Sequence, residues 1–196
     1  MNIFPFFNED GQVNSYIVEL NNPSEAILID IGDFSHPQIK LIEEKKYKIV
    51  GIFLTHCHRN HLKGLIRFER IYQNVKVYSY VGQVGHYEVI ELKDKDTVTL
   101  GDSLIEVIGV PGHSIDSLVY KIEHTLFTGD TLASGQIGST KNEKDKIQLV
   151  NNINERLMDL NPAYLVFPGH GCISKIRIEK YFNHDLLNSV VSLIGQ

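Results

Sequence analysis

Three histidines, His56, His58 and His61, stand within six residues of one another in "THCHRNH", directly after the apolar, β-branched run "IVGIFL". Imidazole nitrogen is a good ligand for zinc, iron or manganese. His56 and His58 are two apart, so on an extended segment both side chains face the same side and can share an ion. His61 comes three residues later, where the chain turns into a helix, and can point to a second ion nearby. "VPGHS" and "FPGHG" place His113 and His170 after Pro-Gly at the ends of apolar runs, and "LFTGDT" delivers Asp130 in the same manner. A glycine beside such a residue lets the backbone approach an ion closely. One strand-end aspartate would be a turn or cap residue. Five histidines and an aspartate recurring in this context point to a metal site.

The elements that must position these residues follow from periodicity. "NSYIVEL", "EAILIDI" and "IVGIFLT" are strand-like runs, the second ending at Asp30 and the third at the histidine cluster. "HPQIKLIEEKKYK" has apolar residues near helical spacing with a proline suited to a first turn. "LKGLIRFERIYQ" reads as one helix after the cluster, and "NVKVYSY" as the next strand. From Thr97 onward "TVTLG", "SLIEVIGV", "SLVYKIE" and "TLFTG" are closely spaced strands. "DKIQLVNNINERLMDL" is helical, "AYLVF" is a strand, and a helical C-terminus is expected from about Ile173. Strands then helix, twice over, implies two sheets covered by helices, an α/β layered arrangement in a single domain over residues 1–196. Asp30, His56 to His61, His113, Asp130 and His170 all fall at strand ends, where a rigid sheet can bring distant residues together.

The ordered set resembles the metallo-β-lactamase superfamily, whose motif is His-x-His-x-Asp-His followed by separate His, Asp and His positions. The resemblance implies an αββα four-layer sandwich with its metals at one edge. It implies His56, His58 and His113 on a first metal, His61 and His170 on a second, and Asp130 bridging the two. Asp30 would be an acid behind the ligands that orients them. Within the superfamily, "FTGDTLASGQIGST" and "YLVFPGHGCISKIRIEKYFNHDLL" are similar to segments of the small glyoxalase-II-like, or hydroxyacylglutathione hydrolase-like, proteins. The stretch after Gly138 reads "STKNEKDK", without the Arg-Thr-Asp-x-Pro run common in those enzymes. The expected activity is hydrolysis of a thioester such as S-lactoylglutathione, with water activated by a bound ion.

Asn60 stands where the motif has a carboxylate that ligates the second metal and orients the water. Asn60 offers a neutral carbonyl oxygen, so one negative charge is removed from the second site while the first keeps its three histidines and Asp130. The expectation is one tightly bound zinc ion and a weakened second site, with iron or manganese as alternative metals. Hydrolysis with one ion is chemically adequate, because zinc lowers the pKa of its water from 15.7 to about 7. Asp130, with Asn60 beside it, is then the group expected to handle that water and its proton. Two other readings are a domain that binds metal with little or no catalysis, and a mononuclear iron persulfide dioxygenase using His56, His113 and Asp130.

Composition narrows the partners. The chain has 196 residues, 42% hydrophobic and 22% charged, with a net charge of −5, which describes a globular protein. No basic run forms a tail, so a small-molecule substrate is expected rather than nucleic acid. The start, "MNIFPFFNEDGQ", lacks the basic first segment of a secretion signal, and no apolar stretch has the length of a membrane span. A cytoplasmic protein without membrane attachment is expected. Two cysteines, Cys57 and Cys172, make no disulfide framework, and Cys57 is expected to pack away from the ligands on either side of it.

Overall fold

The structure is a computed structural model that describes residues 1–8, 13–73 and 75–187. In chain order β1 (Ile3–Asn8), β2 (Val13–Glu19) and β3 (Glu25–Ile29) lead through α1 (His36–Lys45) to β4 (Lys48–Phe53). Two short helices, α2 (Arg59–Leu62) and α3 (Leu65–Ile71), precede β5 (Val77–Ser79), β6 (Gln83–Val84) and β7 (Tyr87–Glu91). Described residues of these strands form one sheet in the order β1-β2-β3-β4-β5-β7-β6. β8 (Thr97–Leu100), β9 (Ser103–Gly109), β10 (Leu118–Ile122) and β11 (Thr125–Gly129) then build an antiparallel meander. A small hairpin, β12 (Leu132–Ala133) and β13 (Gln136–Ile137), leads to α4 (Glu143–Arg156). β14 (Leu165–Pro168), β15 (Ser174–Lys175) and α5 (Ile176–Phe182) follow. The second sheet has the order β15-β14-β11-β10-β9-β8.

Strand alternation sorts the apolar side chains between layers. On β2, Tyr16 and Val18 face the second sheet, while Ile17 faces α1 and α3. On β3, Ile27 and Ile29 take the inner face and Ala26 and Leu28 the helical face. The second sheet repeats the scheme: Tyr120 and Phe127 enter the inter-sheet core, and Val119 and Leu126 pack under α4 with Leu149, Ile153 and Leu157. Three apolar seams thus separate four layers, helix, sheet, sheet and helix, as the expected αββα sandwich requires.

Helix ends follow local chemistry. Gln38 accepts a hydrogen bond from the Ser35 amide at 2.8 Å, and Pro37 occupies the first turn of α1. Asn142 caps α4 by accepting from the Asp145 amide at 2.9 Å, with Glu143 and Asp145 at the positive end of its dipole.

Two differences from the sequence reading bear on the site. "LKGLIRFERIYQ" is not one helix: it breaks at Lys63 and Gly64 into α2 and α3. The cause is a close approach, because a β-carbon on Gly64 would lie 2.6 Å from the Ile31 carbonyl oxygen and 2.6 Å from the Phe34 amide nitrogen. The loop after β3 therefore fits into the break, and the Ile31 and Gly64 amides bond across it to the His61 and Ile31 carbonyls. The expected C-terminal helix begins only after β15, at Ile176, and the part of that expectation beyond Leu187 lies outside the described residues. β1, β6, β7 and the β12–β13 hairpin were not expected from periodicity; each is short or breaks alternation with bulky or polar residues.

α4 offers a test of the layer assignment, because Ile153 is fully buried and Ile147 is 55% exposed on the same helix. Ile153→Ala is expected to destabilise the fold by about 2–5 kcal/mol, and Ile147→Ala by less than about 0.5 kcal/mol. Urea unfolding of the two variants measures this; equal losses would place α4 with a different face on the sheet.

Candidate metal centre

Each site residue stands where a strand stops. Asp30 follows β3 with φ 51, a left-handed turn off the strand. His56, His58 and His61 follow β4, the last inside α2. His113 follows β9, Asp130 follows β11 and His170 follows β14. The first sheet therefore supplies Asp30 and the histidine triplet, and the second supplies His113, Asp130 and His170.

Polar bonds tie the two sheets together at this edge. The Leu118 amide donates to the Thr55 carbonyl at 2.8 Å, and the Tyr120 hydroxyl to the Leu54 carbonyl at 2.7 Å. From β2, the Asn14 amide donates to the Gly169 carbonyl at 2.7 Å, while the Asn14 side chain and the Tyr16 hydroxyl bond the Pro168 carbonyl. Asp116, buried on the loop after His113, accepts from the Cys57 amide at 2.8 Å and from the Ser114 hydroxyl. Asn14, Tyr16, Asp116 and Tyr120 were not singled out in the sequence. Their signal was present as polar atoms inside apolar runs, which must find partners when buried.

The ring nitrogens are oriented from behind. His113 Nδ1 faces the Ser139 carbonyl at 2.6 Å, so it is the donor there and Nε2 is left toward the centre. His56 Nδ1 lies 3.2 Å from the Thr55 hydroxyl. His58 Nδ1 then lies 2.9 Å from His56 Nε2 and 3.0 Å from His113 Nε2. Nitrogens sharing a tetrahedral zinc at 2.0–2.1 Å are separated by about 3.3 Å, so this trio is close to the spacing that a common ion imposes. His56, His58 and His113 form one group with ligand atoms all within 4.8 Å, and His56, His61 and Asp130 form another.

Asp130 lies at the meeting point. Its Oδ2 is 3.2 Å from His170 Nε2, 3.6 Å from His113 Nε2 and 3.9 Å from His56 Nε2. Its Oδ1 is 3.2 Å from His61 Nε2. Both Asp130 Oδ1 and His61 Nε2 are buried and have no hydrogen-bond partner among the described residues, although they face each other. A buried pair left in this state calls for a positive charge between or upon them. Gly169 keeps the place open, since a β-carbon there would meet Asp130 Oδ1 and lie 2.7 Å from His61 Cε1.

Protonation follows from the same geometry. Burial, reinforced by the neighbouring His61, drives the His56 imidazole to about 2, so it is neutral and its lone pair is free. Burial likewise lowers His58, with His113 beside it adding to the effect. Burial would raise Asp130, yet His170 and His61 outweigh it and hold the carboxyl well below the usual range. His61 goes the other way: burial lowers it, but Asp30, at 2.9 Å from Nδ1, together with Asp130 lifts it to about 10. Asp30 is itself held by the Thr55 amide and hydroxyl, each at 2.8 Å. The Asp130 contact is not aligned as a hydrogen bond, so its effect on His61 is the general attraction of a carboxylate for a cation, which a proton or a metal ion can answer.

Asn60 lies in the single turn of α2, half-buried between His58 and His61, and its side chain makes no hydrogen bond among the described residues. Cys57 turns toward Ser79, with Sγ 3.4 Å from the hydroxyl, and burial raises its thiol to about 11. It is a packed residue, as its place between two histidines led one to expect. A cleft of about 360 Å³ opens beside Asp130 and His170, walled by Ala133, Gln136, Ile137 and Gly138.

Comparison with known proteins agrees with this geometry. Hydroxyacylglutathione hydrolase of Francisella tularensis subsp. holarctica is 28% identical over 197 residues, covering 95% of this chain and 77% of the relative. In fold, the chain is similar to ETHE1 from Myxococcus xanthus, with a TM-score of 0.85 at 23% identity over 98% of this chain and 91% of that one. It is also similar to TTHA1623 in a di-iron-bound form, with a TM-score of 0.79 at 23% identity over 92% and 98%. The family model described as the metallo-beta-lactamase superfamily matches residues 8–170, a span that holds Asp30, the five histidines and Asp130, and the chain belongs to that superfamily.

Proposed function

We propose that this chain is a metal-dependent hydrolase of acyl thioesters, with S-lactoylglutathione as the reference substrate. The observation that carries the reading is the buried pair His61 Nε2 and Asp130 Oδ1, 3.2 Å apart and without hydrogen-bond partners among the described residues. In this reading His56, His58 and His113 would hold one ion, His61 and His170 could serve a second, and Asp130 would be available to both. The hydroxyacylglutathione hydrolase relatives support the reaction class. Zinc is the proposed metal, and iron is the alternative that the di-iron-bound relative in fold brings forward.

A bound zinc ion would supply a water acidified to a pKa of about 7 and polarisation of the thioester carbonyl. The chain's own part is orientation and charge. Asp130, ionised at neutral pH, accepts a hydrogen bond from the attacking water at Oδ2 and so aims its lone pair. Asp30 fixes the His61 ring through Nδ1, and Ser139 fixes His113 through the same atom. His170, 36% exposed, is the most accessible of these partners of Asp130 and lies at the mouth of the cleft, where it can meet the departing thiol.

Asn60 sets the balance between the two sides. A neutral amide beside His61 leaves the second side one charge poorer than an aspartate would, so its affinity for an ion falls. After dialysis against metal-free buffer, elemental analysis is expected to give about one tightly held ion per chain, and Asn60→Asp about two. The same substitution is expected to raise thioester kcat/KM about tenfold or more, within the range that one well-placed catalytic group supplies. Loss of activity in Asn60→Asp, with two ions retained, would contradict this account. If neither form turns over any thioester, the proposal fails; oxygen consumption by the iron form on a persulfide would replace it with the dioxygenase reading.

His61 gives a pH signature. In ion-free protein its raised pKa stabilises the fold fully below its ordinary 6.5, and that contribution is lost as pH rises through about 10. Loading the His61 side at pH 7 must therefore displace about one proton. Calorimetric zinc titrations in buffers of different ionisation enthalpy are expected to differ accordingly in Asn60→Asp, with apparent affinity rising with pH. Identical heats in all buffers would mean that His61 is already neutral.

A further inference from the structure

The cleft beside Asp130 and His170 carries a second message, about the body of the substrate rather than its reacting bond. Its wall away from the metal-facing residues consists of Ala133, Gln136, Ile137, Gly138 and Ser139, and none of the residues lining it is Lys or Arg. The tripeptide of a glutathione thioester carries more carboxylate than ammonium groups. Carboxylates bind where Arg or Lys can pair with them, and an unpaired carboxylate drawn into a cleft loses hydration without return.

The wall is also fixed in place. Gly135 at the hairpin tip donates to Glu179 Oε2 at 3.0 Å and accepts from the His184 amide at 3.1 Å, and the Ile137 amide donates to Asp185 Oδ2 at 3.1 Å. Glu179 is fully buried and accepts in turn from the Asn183 side-chain amide at 2.7 Å and from the Ser174 hydroxyl. On the other side, a β-carbon on Gly138 would collide with the Asp130 carbonyl oxygen. The charged groups that hold this wall are the carboxyls of Glu179 and Asp185, and Lys146 lies 3.7 Å from Asp185. A volume of about 360 Å³ is near the lower end of ligand clefts, about 300–1,000 Å³.

We propose that the cleft selects acyl thioesters whose thiol portion is small and uncharged, over glutathione thioesters; this rests on the hydrolase reading above. The acyl group and sulfur occupy the cleft, the neutral wall of the β12–β13 hairpin packs against the thiol portion, and Gln136 offers its amide as the polar contact.

The experiment compares zinc-loaded protein on S-lactoylglutathione and on the S-lactoyl thioester of N-acetylcysteamine, and repeats it with Gln136→Lys, an exposed position outside the metal centre. For the wild type, kcat/KM on the neutral thioester is expected to equal or exceed that on the glutathione thioester. Gln136→Lys is expected to lower KM for the glutathione thioester about three- to fivefold, the worth of an exposed ion pair, and so to raise the ratio of glutathione to neutral kcat/KM by at least that factor. A wild-type preference of about tenfold or more for glutathione would overturn the inference and leave the hydrolase reading intact. Failure to hydrolyse either thioester would end the hydrolase reading and this inference with it.

Discussion

The carboxylate of Asp130 lies among four imidazoles in a largely buried pocket, and the rest of the structure answers the problem this creates. A carboxylate taken out of water needs cationic or hydrogen-bonded partners, yet the histidines around it cannot all be charged at once in a small volume. The structure divides them. His56 and His58 are lowered by burial, reinforced by His61 for the first and His113 for the second, whereas His61 is kept cationic by carboxylates on both of its nitrogens. Such a distribution suits an exchangeable cation on one side and neutral lone pairs on the other, which is the electrostatic condition for holding divalent ions.

The division survives because the partners come from two sheets that cannot slide. His61 and Asp30 belong to the first sheet, and Asp130, His113 and His170 to the second. A shift of one sheet by a fraction of an ångström would convert a 3.2 Å approach into a clash or a gap. The inter-sheet core of Tyr16, Phe53, Tyr120, Phe127 and Phe167 resists this by close packing, and two of those tyrosines also carry their hydroxyls to backbone carbonyls at the site edge. Core and site are therefore linked through the same side chains.

This linkage also explains what could be read from the sequence. The strands that bear the site were legible because their alternation is strong and each ends in a Gly, His or Asp; "EAILIDI", "IVGIFLT" and "TLFTG" became β3, β4 and β11 within two residues. His56, His58 and His61 were legible from spacing, and His113, Asp130 and His170 from their repeated context. The break at Gly64 was not, because it is dictated by the Ile31–Phe34 loop, which is remote in sequence. Nor was the seam of Asn14, Tyr16, Asp116 and Tyr120, whose partners lie on other strands. Glu179 lies in the segment noted for its resemblance to the glyoxalase-II-like proteins, but its burial was not legible there, and only the hairpin packed against it reveals why it is buried.

Asn60 is the place where local sequence and global arrangement part company. Everything that orients an aspartate at this position is in place: the helical turn of α2, the His61 carbonyl bonded by the Ile31 amide, and the ring of His61 locked by Asp30. The group of His56, His61 and Asp130 is thus assembled while the residue beside His61 is neutral. Among the described residues the half-buried Asn60 side chain makes no hydrogen bond. What remains for Asn60 to affect is the charge balance around His61 and Asp130. On the proposed reading, one carboxylate fewer lets the proton on His61 compete more successfully against an ion, so the side of His56, His58 and His113 would be the tighter of the two.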